Sequence, residues 1–182
     1  MLGLVLATTT AVLAQAAALD VYGGLPSIEA ASISPDGRRL AVVATDGEER
    51  AITLRSLTDG STHAMIVGDA KVRALDWAGP KDLLITTSTT SGIQGAFAPR
   101  SEYFLLFAYD VESGELRNVL DEVQRGLTII VDEPAVRELD GRPFVFVSGV
   151  RFSSTGHGRL ALFSFDPERS RLAVVKDGFR DT

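Results

Sequence analysis

From Ile28 onward, apolar residues recur at alternate positions in short runs, and polar residues fill the positions between them. That two-residue period is the mark of half-buried β-strands. The clearest case is Ala31 to Thr45, ASISPDGRRLAVVAT, in which Ala31 and Ile33 precede a turn and Leu40 and Val42 follow it. The turn is Ser34-Pro35-Asp36-Gly37. Proline presets φ at its second position, the aspartate can bond its own turn, and glycine accepts a positive φ. No segment after Ile28 holds a 3.6-residue apolar period, so the pattern predicts strands throughout.

The first four predicted strands are Ile28–Ser34, Arg39–Thr45, Ala51–Leu57 and Thr62–Val67, separated by SPDG, DGEER and TDGS. Asp-Gly pairs between β runs signal tight hairpins, so these strands should form an antiparallel meander. A second unit follows at Lys71–Trp77, Leu83–Ser88, Tyr103–Asp110 and Glu115–Leu120. Laying Ala30–Val42 over Arg73–Ile85 aligns a strand, a proline turn and an apolar strand in both. A third unit is predicted at Thr128–Arg137, Pro143–Val150, Leu160–Asp166 and Arg171–Val175. Recurrence at roughly 45 to 55 residues is the range of solenoids and propellers, and four-stranded radial blades are the propeller unit. The expected fold is therefore all-β: a partial β-propeller of about three antiparallel blades, at approximately 28–67, 71–120 and 128–175, of the WD40 and TolB kind. A twelve-strand sandwich would satisfy the local signals without requiring the repeat. Three blades make an open arc, since a closed ring takes about four to eight.

Residues 1–18, MLGLVLATTTAVLAQAAA, carry no charge and end in two small-x-small sites, Ala14-Gln15-Ala16 and Ala16-Ala17-Ala18. This reads as a secretory signal peptide, followed by a loop at 19–27; a buried N-terminal helix is the alternative. Export to a bacterial periplasm or secretion is then the expected address, with no membrane span in the mature chain. The three threonines and Gln15 weaken a spanning helix. The remaining composition adds mainly exclusions. A net charge of -6 argues against nucleic acid as a partner, and the absence of cysteine removes disulfides and thiolate metal sites.

The hairpin ASISPDGRRLAVVAT, the turns LTDGS and DVESGEL, and the stretch WAGPKDLLITTSTT resemble the N-terminal propeller of secreted S9-family proteins, the prolyl oligopeptidase and dipeptidyl or acylaminoacyl peptidase relatives. The likeness covers nearly all of the chain after the leader. It implies a propeller that screens a C-terminal α/β-hydrolase domain carrying a Ser-Asp-His triad, and so gates access of peptide substrates to it. TolB-like periplasmic propellers share the SPDG turn, which leaves an interaction scaffold as the second reading.

The chemistry of that family does not transfer to any position here. The nucleophile elbow G-x-S-x-G does not occur, and the strand–helix alternation of a hydrolase sheet is missing. The expectation is therefore no catalytic residue, no cofactor and no metal ligand in this chain. A triple such as Ser153, His157 and Asp166 is arithmetically available but lacks an elbow or oxyanion context. The acidic pairs Asp46-Gly47-Glu48-Glu49 and Asp132-Glu133 lack the spacing of a calcium loop. Trp77, the only tryptophan, is expected to anchor the core between blades, with Tyr103, Phe104, Phe107, Phe144 and Phe146 packing similarly. The functional candidate is the stretch Thr89 to Ser101, which shows no strand pattern. As a long loop leaving one face of the ring, with Phe97 and Arg100 near its end, it would meet a partner domain or substrate.

Overall fold

The computed structural model describes residues 27–45, 50–68, 70–91 and 101–179. These residues contain strands and turns but no helix, and so no helix long and apolar enough to cross a membrane. Four strands, β1 (Ile28–Ile33), β2 (Arg39–Thr45), β3 (Arg50–Ser56) and β4 (Thr62–Gly68), form an antiparallel meander in sequence order. The SPDG turn closes as its residues require. Gly37 sits at φ 69°, and Ser34 Oγ accepts the Arg39 N–H at 2.9 Å while donating to Asp36 at 2.6 Å.

The second meander is β5 (Lys71–Trp77), β6 (Asp82–Ser91), β7 (Ser101–Asp110) and β8 (Leu116–Asn118). The third is β9 (Gly126–Ile130), β10 (Ala135–Leu139), β11 (Arg142–Phe152), β12 (Gly158–Asp166) and β13 (Arg171–Phe179). The second and third are hydrogen-bonded to each other where Phe104 of β7 pairs with Ile130 of β9, giving one nine-stranded sheet. All pairings are antiparallel, and neither sheet closes on itself.

A turn after the third strand of each meander repeats in detail. Ser56 Oγ accepts the N–H groups of Thr58 and Asp59, Asp110 Oδ1 those of Glu112 and Ser113, and Asp166 Oδ1 that of Arg169. One polar side chain at one position caps the same turn three times, which is the physical basis of the sequence repeat.

Packing explains why successive residues of β6 are buried alike. Leu83 and Ile85 point toward the first meander, into a core with Ala41, Val43, Ile52, Leu54, Trp77 and Tyr109. Leu84 points the other way, with Leu106 and Ala108, onto Val145, Val147, Ala161, Phe163 and Phe165 of the third. The middle meander is thus covered on both faces, and Asp82 through Ser88 are all buried. A strand buried on both sides reads as a continuous apolar run rather than an alternation. In the outer meanders burial alternates instead, because each buries one face: in β2 Ala41 and Val43 are buried while Leu40 and Val42 are half-buried. Arg39 adds a polar tie between the first two, donating to the Pro80 carbonyl at 2.7 Å.

Three expectations are corrected. Thr89, Thr90 and Ser91 are not loop: they continue β6 and pair with Tyr103, Glu102 and Ser101. Threonine suits an extended backbone even where the run carries no apolar alternation. Phe97 and Arg100 lie outside the described residues, as do the leader and Asp46-Gly47-Glu48-Glu49. The predicted strand Thr128–Arg137 is broken into β9 and β10 at Val131–Pro134, and both pieces pair with β11. Pro134 cannot donate to the ladder, and the Asp132 side chain substitutes for backbone there: it accepts the Ser148 N–H at 2.8 Å and the Ser148 hydroxyl at 2.6 Å. Asp132→Ala is expected to cost about 1–3 kcal/mol in chemical denaturation by leaving these donors unpaired. Finally, the fourth strand of the second unit shortens to Leu116–Asn118, because Asn118 Oδ1 takes the Leu120 N–H at 2.9 Å and turns the chain.

Candidate functional site

Concavities lie between the meanders, and two of them border the middle strands of the second. The first, about 580 Å³, opens between the second and third and is lined by Arg73, Asp76, Phe104, Ile130, Asp132 and Glu133 among others. A β-bulge between Val72 and Ala74 breaks the alternation of β5 and brings Arg73 to the same cavity as Asp76, and the break after β9 brings Asp132 and Glu133 opposite them. At its edge Arg73 Nε donates to Ser88 Oγ at 2.8 Å, Ser88 Oγ donates to Glu102 at 2.7 Å, and Arg73 pairs with Glu102 directly. The bonds from Ser88 and Arg73 hold the Glu102 carboxyl below the usual carboxylate range. Across the cavity, desolvation and then the charge of Glu133 push Asp76 up.

Ser88 has a carboxylate acceptor, but a carboxylate with a lowered pKa is a poor base, and no histidine relays the proton. Among the described residues no group of three or more ligating side chains converges as a metal site requires. Asp132, half of one acidic pair, is committed to Ser148.

The second concavity, about 770 Å³, is an apolar groove between the first and second meanders, lined by Ile52, Met65, Val67, Ile85, Leu105 and Phe107, with Lys71 and Thr87–Thr90 beside them.

The triple Ser153, His157 and Asp166 is not assembled. Ser153, Thr155 and His157 do form a hydroxyl–hydroxyl–imidazole chain, at 2.9 Å for each step, within an exposed turn. Asp166 sits at the opposite end of β12, roughly 26 Å along the strand at 3.3 Å per residue. There it is bound to Arg142 at 2.9 Å and Arg169 at 3.5 Å. His63 is exposed on β4. Trp77 is buried in the core between the first two meanders, as expected, and its indole Nε1 meets no hydrogen-bond partner. Phe107 also packs there, whereas Phe104 lines the first cavity and Phe144 and Phe146 are half-buried on the far face of the third meander. The Arg73–Ser88–Glu102 network was not read from the sequence. Its signal is three polar residues on adjacent strands whose register becomes known only once β6 is extended to Ser91.

One buried acid lies apart from both concavities. Asp82 opens β6 opposite Asp110, and burial pushes its carboxyl up to about 6, opposed by Lys81 and reinforced by Asp110. The folded protein therefore binds this proton more tightly than the unfolded chain, whose value is 3.8. Stability should fall as pH rises from about 4 to about 6 and then level off. Asp82→Asn is expected to flatten that segment of the curve and to raise stability at pH 7.5 by at most about 3 kcal/mol, measured as the denaturation midpoint across pH.

No protein-family model and no curated protein matches the chain. Among solved structures it is similar to an acylaminoacyl peptidase from Pyrococcus horikoshii, at 12% identity and a TM-score of 0.52. The match covers 85% of this chain and 26% of that one, so the chain spans about a quarter of the length of the peptidase it resembles. At that identity the likeness concerns the fold, and the chain shares with part of a peptidase an all-β arrangement of stacked antiparallel meanders.

Proposed function

We propose that these meanders are blades of a β-propeller that stands before the α/β-hydrolase domain of an exported S9-type serine peptidase and limits which peptides reach it. The observation that carries the reading is the middle meander, sandwiched face to face between two others of the same connectivity. Four-stranded meanders stacked in this way are how a propeller places successive blades. The resemblance to part of an acylaminoacyl peptidase supports the same reading. In it the chain contributes no nucleophile. Its role is a wall, with the cavity around Arg73, Asp76 and Glu133 offering charged groups to a passing peptide.

The experiment isolates the native polypeptide that carries these residues, using antibody raised against the 182-residue chain, and treats it with a fluorophosphonate probe. Labelling of a serine outside these residues, with hydrolysis of an acylated or short peptide, is the expected result. A native polypeptide that resists the probe and pulls down a protein partner would support the TolB-like scaffold instead.

A further inference from the structure

A strand at the rim of a sheet presents unpaired N–H and C=O groups to any further strand, and proteins blunt such rims with charge, proline, bulges or shortness. Six strands have a single hydrogen-bonded neighbour among the described residues: β1, β4, β5, β8, β10 and β13. Five of them carry charge: Glu29 in β1, Lys71 in β5, Arg117 in the three-residue β8, Arg137 in β10 and Lys176 in β13. β13 is also bulged at two places. β4 holds no proline, lysine, arginine or carboxylate. Its one irregularity falls between Ile66 and Gly68, so Thr62 to Ile66 pair regularly with β3.

The register says which backbone groups of β4 are free. The Ser56 N–H donates to the Ser61 carbonyl at 2.9 Å. From that point hydrogen-bonded and open pairs alternate along the antiparallel ladder. Leu54–His63 and Ile52–Met65 are then the bonded pairs, and Thr62, Ala64 and Ile66 turn their N–H and C=O groups outward. All three residues are exposed.

Both faces of this rim are apolar. Ile66 is 73% exposed, the most of any large hydrophobic residue among the described ones. On the other face Met65 and Val67 border the groove of about 770 Å³, which Phe107 and Leu116 of the second meander also line. A strand added beside β4 would continue that face, with every second side chain next to Met65 at the groove.

We propose that the outer edge of β4 binds an extended peptide as a fifth strand of the first meander, with apolar side chains at alternate positions turned to the groove. Main-chain bonds to Thr62, Ala64 and Ile66 supply the affinity, and the groove supplies the preference for apolar residues. Antiparallel pairing of two copies through β4 would set both second meanders on the same side of the joined sheet, whereas a peptide brings no second layer. The proposal rests on this edge and its groove, and it stands independently of the hydrolase reading.

The test uses the 182-residue chain and a fluorescein-labelled peptide of alternating serine and valine, seven residues long like β4, read by fluorescence anisotropy. With the valines turned to the groove, the serines oppose Thr62, Ala64 and Ile66, and the serine amides face β4. Saturable binding is expected. N-methylation of the serines should weaken it about tenfold or more, and N-methylation of the valines should leave it within about twofold. Ala64→Pro removes an outward N–H without touching the ladder to β3, and Ile66→Lys adds the charge that the other edges have. Each variant, checked for native near-ultraviolet circular dichroism, should bind about tenfold more weakly. No saturable binding up to about 1 mM peptide overturns the proposal. Equal losses from the two methylations overturn it, and so does a folded variant that binds unchanged. A dimer that Ala64→Pro abolishes, in a chain that binds no peptide, gives the edge to a second copy and likewise overturns it.

Discussion

Replacing Phe163 by alanine is expected to destabilise the protein by about 3–5 kcal/mol, the range for emptying a fully buried aromatic site. Phe163 is 1% exposed and lies at the centre of the core between the second and third meanders. Its ring approaches β11 closely at Gly149, where a Cβ would stand 3.1 Å from the ring and 2.9 Å from Leu120. The strands around the ring are held by continuous pairing of β11 with β12, so they cannot collapse into the space left behind. The cavity term then adds to the lost transfer energy. Domains of this kind have about 5–15 kcal/mol in total, so the variant should unfold at a much lower denaturant concentration with an unchanged slope.

The second large effect concerns two neighbours on one strand. Leu83→Ala and Leu84→Ala should each cost about 2–5 kcal/mol, although in an ordinary half-exposed strand one of two adjacent residues would be nearly free. Leu83 is 0% exposed in the first core and Leu84 is 1% exposed in the second. Because they lie in separate cores, their losses should add, and the double variant should approach the whole stability of the fold. The position equivalent to Leu83 in the first meander is Leu40, which is only half-buried. Leu40→Ala is expected to cost no more than about 1.5 kcal/mol, the low end for an incompletely buried side chain. Denaturation midpoints of the three variants check the contrast.

Much of this arrangement was legible in the chain. The strand Arg39–Thr45 has the predicted bounds, and so does Lys71–Trp77, because proline and glycine turns on one side or both fix where pairing can begin. The repeat was legible through its turns, whose capping residues Ser56, Asp110 and Asp166 occupy one structural position. What the pattern concealed were the places where side chains replace backbone or where polar residues pair without an apolar face. Pro134 is a break signal inside Thr128–Arg137, next to the strand-like run Ile129-Ile130-Val131. Thr89 to Ser91 look like loop by polarity alone, yet their partners Tyr103, Glu102 and Ser101 complete a ten-residue ladder. Asp82 could be seen as a charge beside Lys81, but its burial becomes visible only in the folded chain.

Hydrogen exchange read peptide by peptide tests the central claim most directly, because a sheet covered on both faces opens only when the whole stack opens. The amides of Leu83–Thr87 in β6, and their partners Leu105–Tyr109 in β7, should be the slowest to exchange, at the rate set by global unfolding. Amides of the outermost strands, Thr62–Val67 in β4 and Arg171–Asp177 in β13, should exchange earlier, because each of those strands has a single hydrogen-bonded neighbour. Protection of β6 equal to or weaker than that of β13 would contradict a middle sheet packed between two others.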